Sequence, residues 1–273
     1  MFAHPNSKRD LMKIGYVQNA PIFGNKTANF EQVKSLVNGQ QADLLVLSEL
    51  FATGYTFTSR EEAHFLAEST DGETAKFLKD LSKETGAMIV AGFVELENDK
   101  VYNSSLIVKD GEVLDTYRKI HLFNRETLWF DAGNKPLKTY DCNGVSVGIM
   151  ICFDWLFPEV CRTLTLDGMQ VLAHPSNLVM PYCQQAMITR CLENRIFAVT
   201  SNRTGRENRG EDDFTFTGAS QITANDGNIL SSAPKDKPHL SIVEIDPNKA
   251  LNKMINDYNH LIDCRNTDYY TVG

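Results

Sequence analysis

Val145-Ser146-Val147-Gly148-Ile149-Met150-Ile151 carries one polar side chain in seven positions and runs straight into Cys152-Phe153-Asp154-Trp155. A stretch so apolar predicts a strand covered on both faces. Such a strand needs cover above and below, and the flanking sequence supplies it. Downstream the pattern gives a helix over 158–167 opened by Pro158, a strand over 170–173 and a helix over 184–194. Strands over 196–200, 219–223 and 242–245 follow. Upstream, Ile14-Gly15-Tyr16-Val17 reads as a strand, and Phe30, Val33 and Val37 share one helical face. Leu44-Leu45-Val46-Leu47 is a short buried strand, 61–68 and 73–85 are helical, and 88–94 is another buried strand. Two strands within 101–118 flank Asp110-Gly111, a hairpin signal. The alternation implies an α/β domain with two sheets buried under helices, and the hairpins exclude an all-parallel sheet.

The chain has 273 residues, a length of one or two domains. Hydrophobic residues make up 42% and charged residues 23%, a globular balance that excludes an extended disordered chain. Lys plus Arg number 27 against 35 Asp plus Glu, a net −8, with no basic run. That argues against a nucleic-acid partner and for a small molecule or another protein. No 18-residue apolar stretch exists to span a membrane, and the start, Met1 to Lys13, is too polar for a signal peptide. The expected location is the cytoplasm. Six cysteines without CxxC spacing (Cys142, Cys152, Cys161, Cys183, Cys191, Cys264) read as free thiols. The sequons at Asn25, Asn103 and Asn202 are then silent. The domain is expected to cover 12–253. The segment 254–273 lacks periodicity and forms a tail that docks on its own domain or on a partner subunit.

Phosphate and metal chemistry find little support. Gly24-Asn25-Lys26-Thr27 lacks the upstream glycine of a P-loop, and no GxGxxG follows a strand. The six histidines offer neither an i, i+4 pair nor HExxH, so no metal and no cofactor is expected. A GxSxG elbow is absent. One constellation remains: Glu49 closes the run that starts at Leu44, Lys119 ends Asp115-Thr116-Tyr117-Arg118-Lys119, and Cys152 ends the buried strand. Ligands gather beyond the carboxyl ends of strands in open α/β sheets, so these three groups can meet there. Together they make a base, a cation and a nucleophile. Each also has an ordinary reading, as a packed thiol, a capping carboxylate and an exposed charge beside Arg118.

The surrounding segments carry more. Leu47-Ser48-Glu49-Leu50-Phe51-Ala52-Thr53-Gly54-Tyr55, Tyr117-Arg118-Lys119-Ile120-His121-Leu122 and Gly148-Ile149-Met150-Ile151-Cys152-Phe153-Asp154 resemble the three signature segments of the nitrilase, or carbon–nitrogen hydrolase, superfamily. Phe130-Asp131-Ala132-Gly133, Phe157-Pro158-Glu159, His174-Pro175-Ser176-Asn177, Glu193-Asn194-Arg195 and Phe216-Thr217-Gly218-Ala219-Ser220 extend the resemblance over 12–268. It implies an α-β-β-α sandwich that pairs face to face into a homodimer or higher homo-oligomer. It also implies Glu49 as general base, Lys119 as electrophilic stabiliser, Cys152 as nucleophile and Glu126 as a second glutamate orienting lysine and substrate. Read from sequence alone, Glu126 is more readily a solvated loop carboxylate. Tyr55, Phe153 and Trp155 are candidate pocket walls, with an ordinary core role open to Tyr55 and Trp155. The segment 152–159 and the Tyr269-Tyr270 tail are most similar to small archaeal-type nitrilases acting on short aliphatic nitriles. Phe153-Asp154 stands where larger nitrilases carry Trp-Glu. The expected reaction converts a small amide or nitrile to an acid and ammonia. Transfer of the acyl group to an amine, and a non-catalytic dimeric interaction protein, are the rival readings.

Overall fold

The computed structural model describes residues 11–270, so most of the polar start lies outside the described residues. Through its first half the chain alternates as the hydrophobic pattern requires. It forms β1 (Met12–Gln18), α1 (Lys26–Val37), β2 (Leu44–Leu47), α2 (Arg60–Leu66), α3 (Glu73–Thr85), β3 (Met88–Glu97), β4 (Lys100–Lys109) and β5 (Glu112–Arg118). A single turn, α4 (Glu126–Trp129), precedes β6 (Tyr140–Cys142), β7 (Val145–Ile149), α5 (Pro158–Leu166), β8 (Val171–Pro175), α6 (Cys183–Asn194) and β9 (Phe197–Ser201). A hairpin of β10 (Arg206–Arg209) and β11 (Asp212–Thr215) follows, then β12 (Gln221–Thr223), β13 (Ile229–Ser232) and β14 (His239–Ile245). Beyond Leu251 lies a small hairpin, β15 (Met254–Asn256) with β16 (Asn259–His260).

The helix limits follow local chemistry. Asn25 caps α1 by accepting from the Ala28 N–H at 3.1 Å, and Ser59 caps α2 through the Glu62 N–H at 3.1 Å. Pro158 opens α5, where its missing N–H costs nothing. At the β4–β5 turn Asp110 (φ 53°) and Gly111 (φ 76°) both take the left-handed conformation that a tight hairpin demands.

Two six-stranded sheets result, in the orders β14-β1-β2-β3-β4-β5 and β13-β12-β9-β8-β7-β6. Each has a parallel centre, β1/β2/β3 and β7/β8/β9, with antiparallel flanks. β1, β2 and β3 pack on β8 and β9, which sets the sheets face to face. Side-chain alternation explains why. In β2, Leu44 and Val46 enter the core between the sheets, while Leu45 and Leu47 meet Phe30 and Val33 of α1 and Leu78 of α3. The second sheet is covered likewise by Val160 and Leu164 of α5 and Met187 and Cys191 of α6. At about 1.5–3 kcal/mol per fully buried large aliphatic chain, these three layers of contact hold the sandwich shut. The fold is the expected α-β-β-α sandwich.

Several expected limits shift. The strand over 145–151 stops at Ile149, and Cys152 opens a single 3-10 turn, Cys152–Leu156, rather than ending the strand. The cause is Asp154, whose carboxylate accepts the Ile151 N–H at 2.9 Å and turns the backbone out of the ladder. Glu49 and Lys119 likewise stand just past β2 and β5. β6, β10, β11, β13, β15 and β16 give no strand signal in the hydrophobic pattern; they are short, and β10, β11, β13 and β15 are largely exposed. Among the described residues no helix is long and apolar enough to cross a membrane.

Candidate active site

The strand exits converge. Glu49 follows β2 in a turn where Leu50 has φ 48°, and this turn lies so close to β3 that a Cβ at Gly92 would collide with the Leu50 nitrogen and Glu49 Cα. Lys119 is set by a similar approach. Its carbonyl accepts the Gly133 N–H at 2.8 Å, and a Cβ at Gly133 would strike the Arg118 and Lys119 carbonyls. Asn103, at the middle of β4, ties the two together. Its Nδ2 donates to Glu49 Oε1 at 2.7 Å, and its carbonyl accepts the Lys119 N–H at 2.9 Å.

The Lys119 ammonium is fully buried and donates to Glu49 Oε1 and to Glu126 Oε1, both at 2.8 Å. A buried ammonium is tolerable only with such partners. Glu126 is fully engaged: Oε1 also accepts from the Tyr55 hydroxyl at 2.6 Å, and Oε2 accepts the Phe123 N–H at 3.1 Å. It is buried, 4% exposed, which excludes a solvated loop carboxylate. Glu49 is not fully engaged. Its Oε2 is buried and has no hydrogen-bond partner. The two glutamates on one lysine therefore differ, one saturated and one with an open oxygen.

Cys152 sits at φ 43°, a left-handed backbone on a sharp strand-to-helix turn. Its carbonyl accepts from His174 Nε2 at 3.0 Å, and the main chain at Asn177 works to lower the thiol pKa. Asp154 joins this turn to the lysine segment, because it also accepts from the Tyr117 hydroxyl at 2.7 Å and the His121 N–H at 3.0 Å. The thiol lines a narrow cavity with Phe123, Phe153, Trp155, Asn177, Leu178, Val179 and Met180. Phe153 and Trp155 thus lie on its wall, while Tyr55 lies on a neighbouring depression with Glu126 and Phe214. Among the described residues no hydrogen bond joins the thiol to Glu49 or Lys119; two of the three ammonium hydrogens go to the two carboxylates. Such contacts commonly tighten only once substrate is bound.

Electrostatics tie the group into one unit. Burial pushes the Cys152 thiol well above its usual range, Glu49 raises it further and Lys119 opposes both. Burial alone would depress Lys119, but Glu126 and Glu49 outweigh it and the ammonium is held charged. Glu126 is shifted up, by burial first, with Lys119 counteracting. The thiol is therefore protonated at neutral pH, and Glu49 is the carboxylate acting on it most strongly.

A family model described as carbon–nitrogen hydrolase matches residues 13–251. The chain belongs to the carbon–nitrogen hydrolase family. It is 42% identical over 264 residues to a Pyrococcus abyssi protein named nitrilase, covering 95% of this chain and 99% of that one. An (R)-stereoselective amidase of Pseudomonas is 31% identical, with 93% and 92% covered. The crystal structure of a carbon–nitrogen hydrolase from Helicobacter pylori superposes with a TM-score of 0.85 over 96% of this chain and 97% of that one, at 21% identity. The chain is an enzyme of this family, and the reading as a non-catalytic interaction protein falls. Asn103, Asp154 and His174 escape sequence reasoning as site residues. Asn103 was visible only as a sequon, and Asp154, His174 and Asn177 only as letters of the motifs.

Proposed function

We propose that this carbon–nitrogen hydrolase cleaves small aliphatic amides or nitriles through a covalent bond to Cys152. The observation that carries the assignment of roles is the open, buried Oε2 of Glu49 beside a fully hydrogen-bonded Glu126. Glu49 takes the thiol proton as sulfur attacks the carbonyl or nitrile carbon. With an amide, Lys119 and the Phe153 N–H hold the oxyanion of the tetrahedral adduct. Glu49 then passes its proton to the nitrogen, ammonia leaves and a thioester remains. With a nitrile, Glu49 passes its proton to the nitrogen and the adduct is a thioimidate; water adds, ammonia leaves and the same thioester forms. A further water, deprotonated by Glu49, releases the acid and restores the thiol. Glu126 keeps the ammonium aimed, and Phe153 and Trp155 shape the acyl side of the cavity.

The test is ammonia release from a panel of short amides and nitriles. Cys152→Ala should abolish it. Glu49→Gln should lower kcat by about a hundredfold or more while the intact mass shows no accumulated adduct, as loss of a general base requires. Normal turnover by Cys152→Ala would remove the mechanism. We also propose a homodimer built through the outer α5/α6 layer, where Leu166 and Leu192 stand about half exposed.

A further inference from the structure

Asn177 interrupts an otherwise apolar wall at the nucleophile. It is 2% exposed, lines the Cys152 cavity beside Phe153, Trp155 and Leu178, and neither its Oδ1 nor its Nδ2 has a hydrogen-bond partner. An amide buried with donor and acceptor both unused costs stability, so its retention in a packed wall needs a reason. Its main chain is not free to turn it away. The flanking Ser176 N–H is held on the Ser201 carbonyl at 2.8 Å and the Leu178 N–H on Asn202 Oδ1 at 2.9 Å.

We infer that Asn177 reads a second, uncharged hydrogen-bonding group on the substrate, and that a primary carboxamide matches it best. This rests on the hydrolase reading proposed above. The reacting carbon is already served: Lys119 and Glu49, from the exits of β5 and β2, take its oxygen and its protons. Asn177 follows β8 and lines the Cys152 cavity, whose wall includes neither Lys119 nor Glu49, which leaves it for the part of the substrate beyond the carbon under attack. A carboxamide there supplies an acceptor for Nδ2 and a donor for Oδ1. A ketone or nitrile supplies only the acceptor, and an alkyl group neither. A carboxylate would bring its charge against Oδ1, into a wall whose lining residues include no cation. Sites built to hydrogen-bond a substrate group discriminate strongly against analogues that lack it.

The test uses three isosteric amides, succinamide, levulinamide and isocaproamide, with the full chain and its Asn177→Leu variant. Wild-type kcat/KM should fall in that order, succinamide exceeding isocaproamide by about tenfold or more after correction for its two equivalent ends. In Asn177→Leu the preference should collapse to within about twofold while isocaproamide is still turned over. Asn177→Ala, checked by circular dichroism and by alkylation of Cys152, serves if leucine disturbs the fold. An unchanged ratio in the variant, no preference in the wild type, or an equal loss on all three amides overturns the inference. If isocaproamide is hydrolysed throughout, the hydrolase reading stands without it. If the wild type releases ammonia from none of the three and from no short amide or nitrile, that reading falls and this one with it.

Discussion

Cys152 holds a conformation, φ 43°, that an L-residue keeps only where its surroundings over-determine it. His174 is one of those determinants. The Cys152 carbonyl can only accept, so His174 Nε2 carries the hydrogen and Nδ1 accepts from the Thr200 hydroxyl at 3.2 Å. That tautomer is the neutral one. Burial drops the His174 pKa to about 4, below its unfolded value, so the unfolded chain binds the proton first. Its contribution to stability is whole above about pH 6.5 and drains away as pH falls toward 4, reaching about 2 kcal/mol lost by about pH 5. Urea unfolding at neutral pH and at about pH 5 checks this: His174→Gln should lower stability at neutral pH but flatten the pH slope by about that amount. An identical slope in both proteins would refute it. At this scale Glu49 is legible because a charge breaks an apolar run, and Lys119 and Cys152 because each closes a strand pattern inside a segment that resembles the family's signatures. Asn103, His174 and Asn177 stayed hidden because a neutral polar side chain in a strand or loop makes no such break; only three-dimensional accounting of its hydrogen bonds exposes it.

The hairpin of β10 and β11 reaches the site through the Glu207 carboxylate as well as through the Phe214 ring beside Tyr55. Glu207 accepts the Tyr55 N–H at 3.1 Å and the Thr56 N–H at 2.7 Å, and it pairs with the buried Arg203. Tyr55 then reaches Glu126, and Glu126 reaches Lys119. Removing one partner of a buried ion pair strands the other, so Glu207→Gln should cost about 3 kcal/mol in denaturant unfolding and lower kcat more than it changes KM. Arg206, on the same strand, pairs with Asp213 in solvent, and Arg206→Ala should leave both stability and kcat unchanged within error. A Glu207→Gln protein as stable and active as the wild type would break the link. Sequence reading missed this element because Arg206-Glu207-Asn208-Arg209 and Asp212-Asp213-Phe214-Thr215 show charge where a strand signal is sought. Strands buried on both faces, such as β2, β7 and β9, announce themselves; a polar hairpin does so only by its Gly210 turn.

The sandwich buries both faces of each sheet, yet its outer helix layer is not uniformly polar. Leu166 on α5 is 49% exposed and Leu192 on α6 is 48% exposed, with Leu156 and Tyr270 further examples on the described surface. Isolated exposed leucines are ordinary, but on two neighbouring helices that also flank the Cys152 turn they suit a self-complementary patch. A twofold interface there would brace α5 and α6 and, through the Arg190 Nε bond to the Trp155 carbonyl at 3.2 Å, the 3-10 turn that carries Cys152. Light scattering should give twice the 30.7 kDa chain mass. The double substitution Leu166→Lys, Leu192→Lys should halve that mass and lower kcat without abolishing it, because Glu49, Lys119, Glu126 and Cys152 meet within one chain. A dimer that survives both lysines would place the interface elsewhere, and a wild-type protein of single-chain mass would remove it.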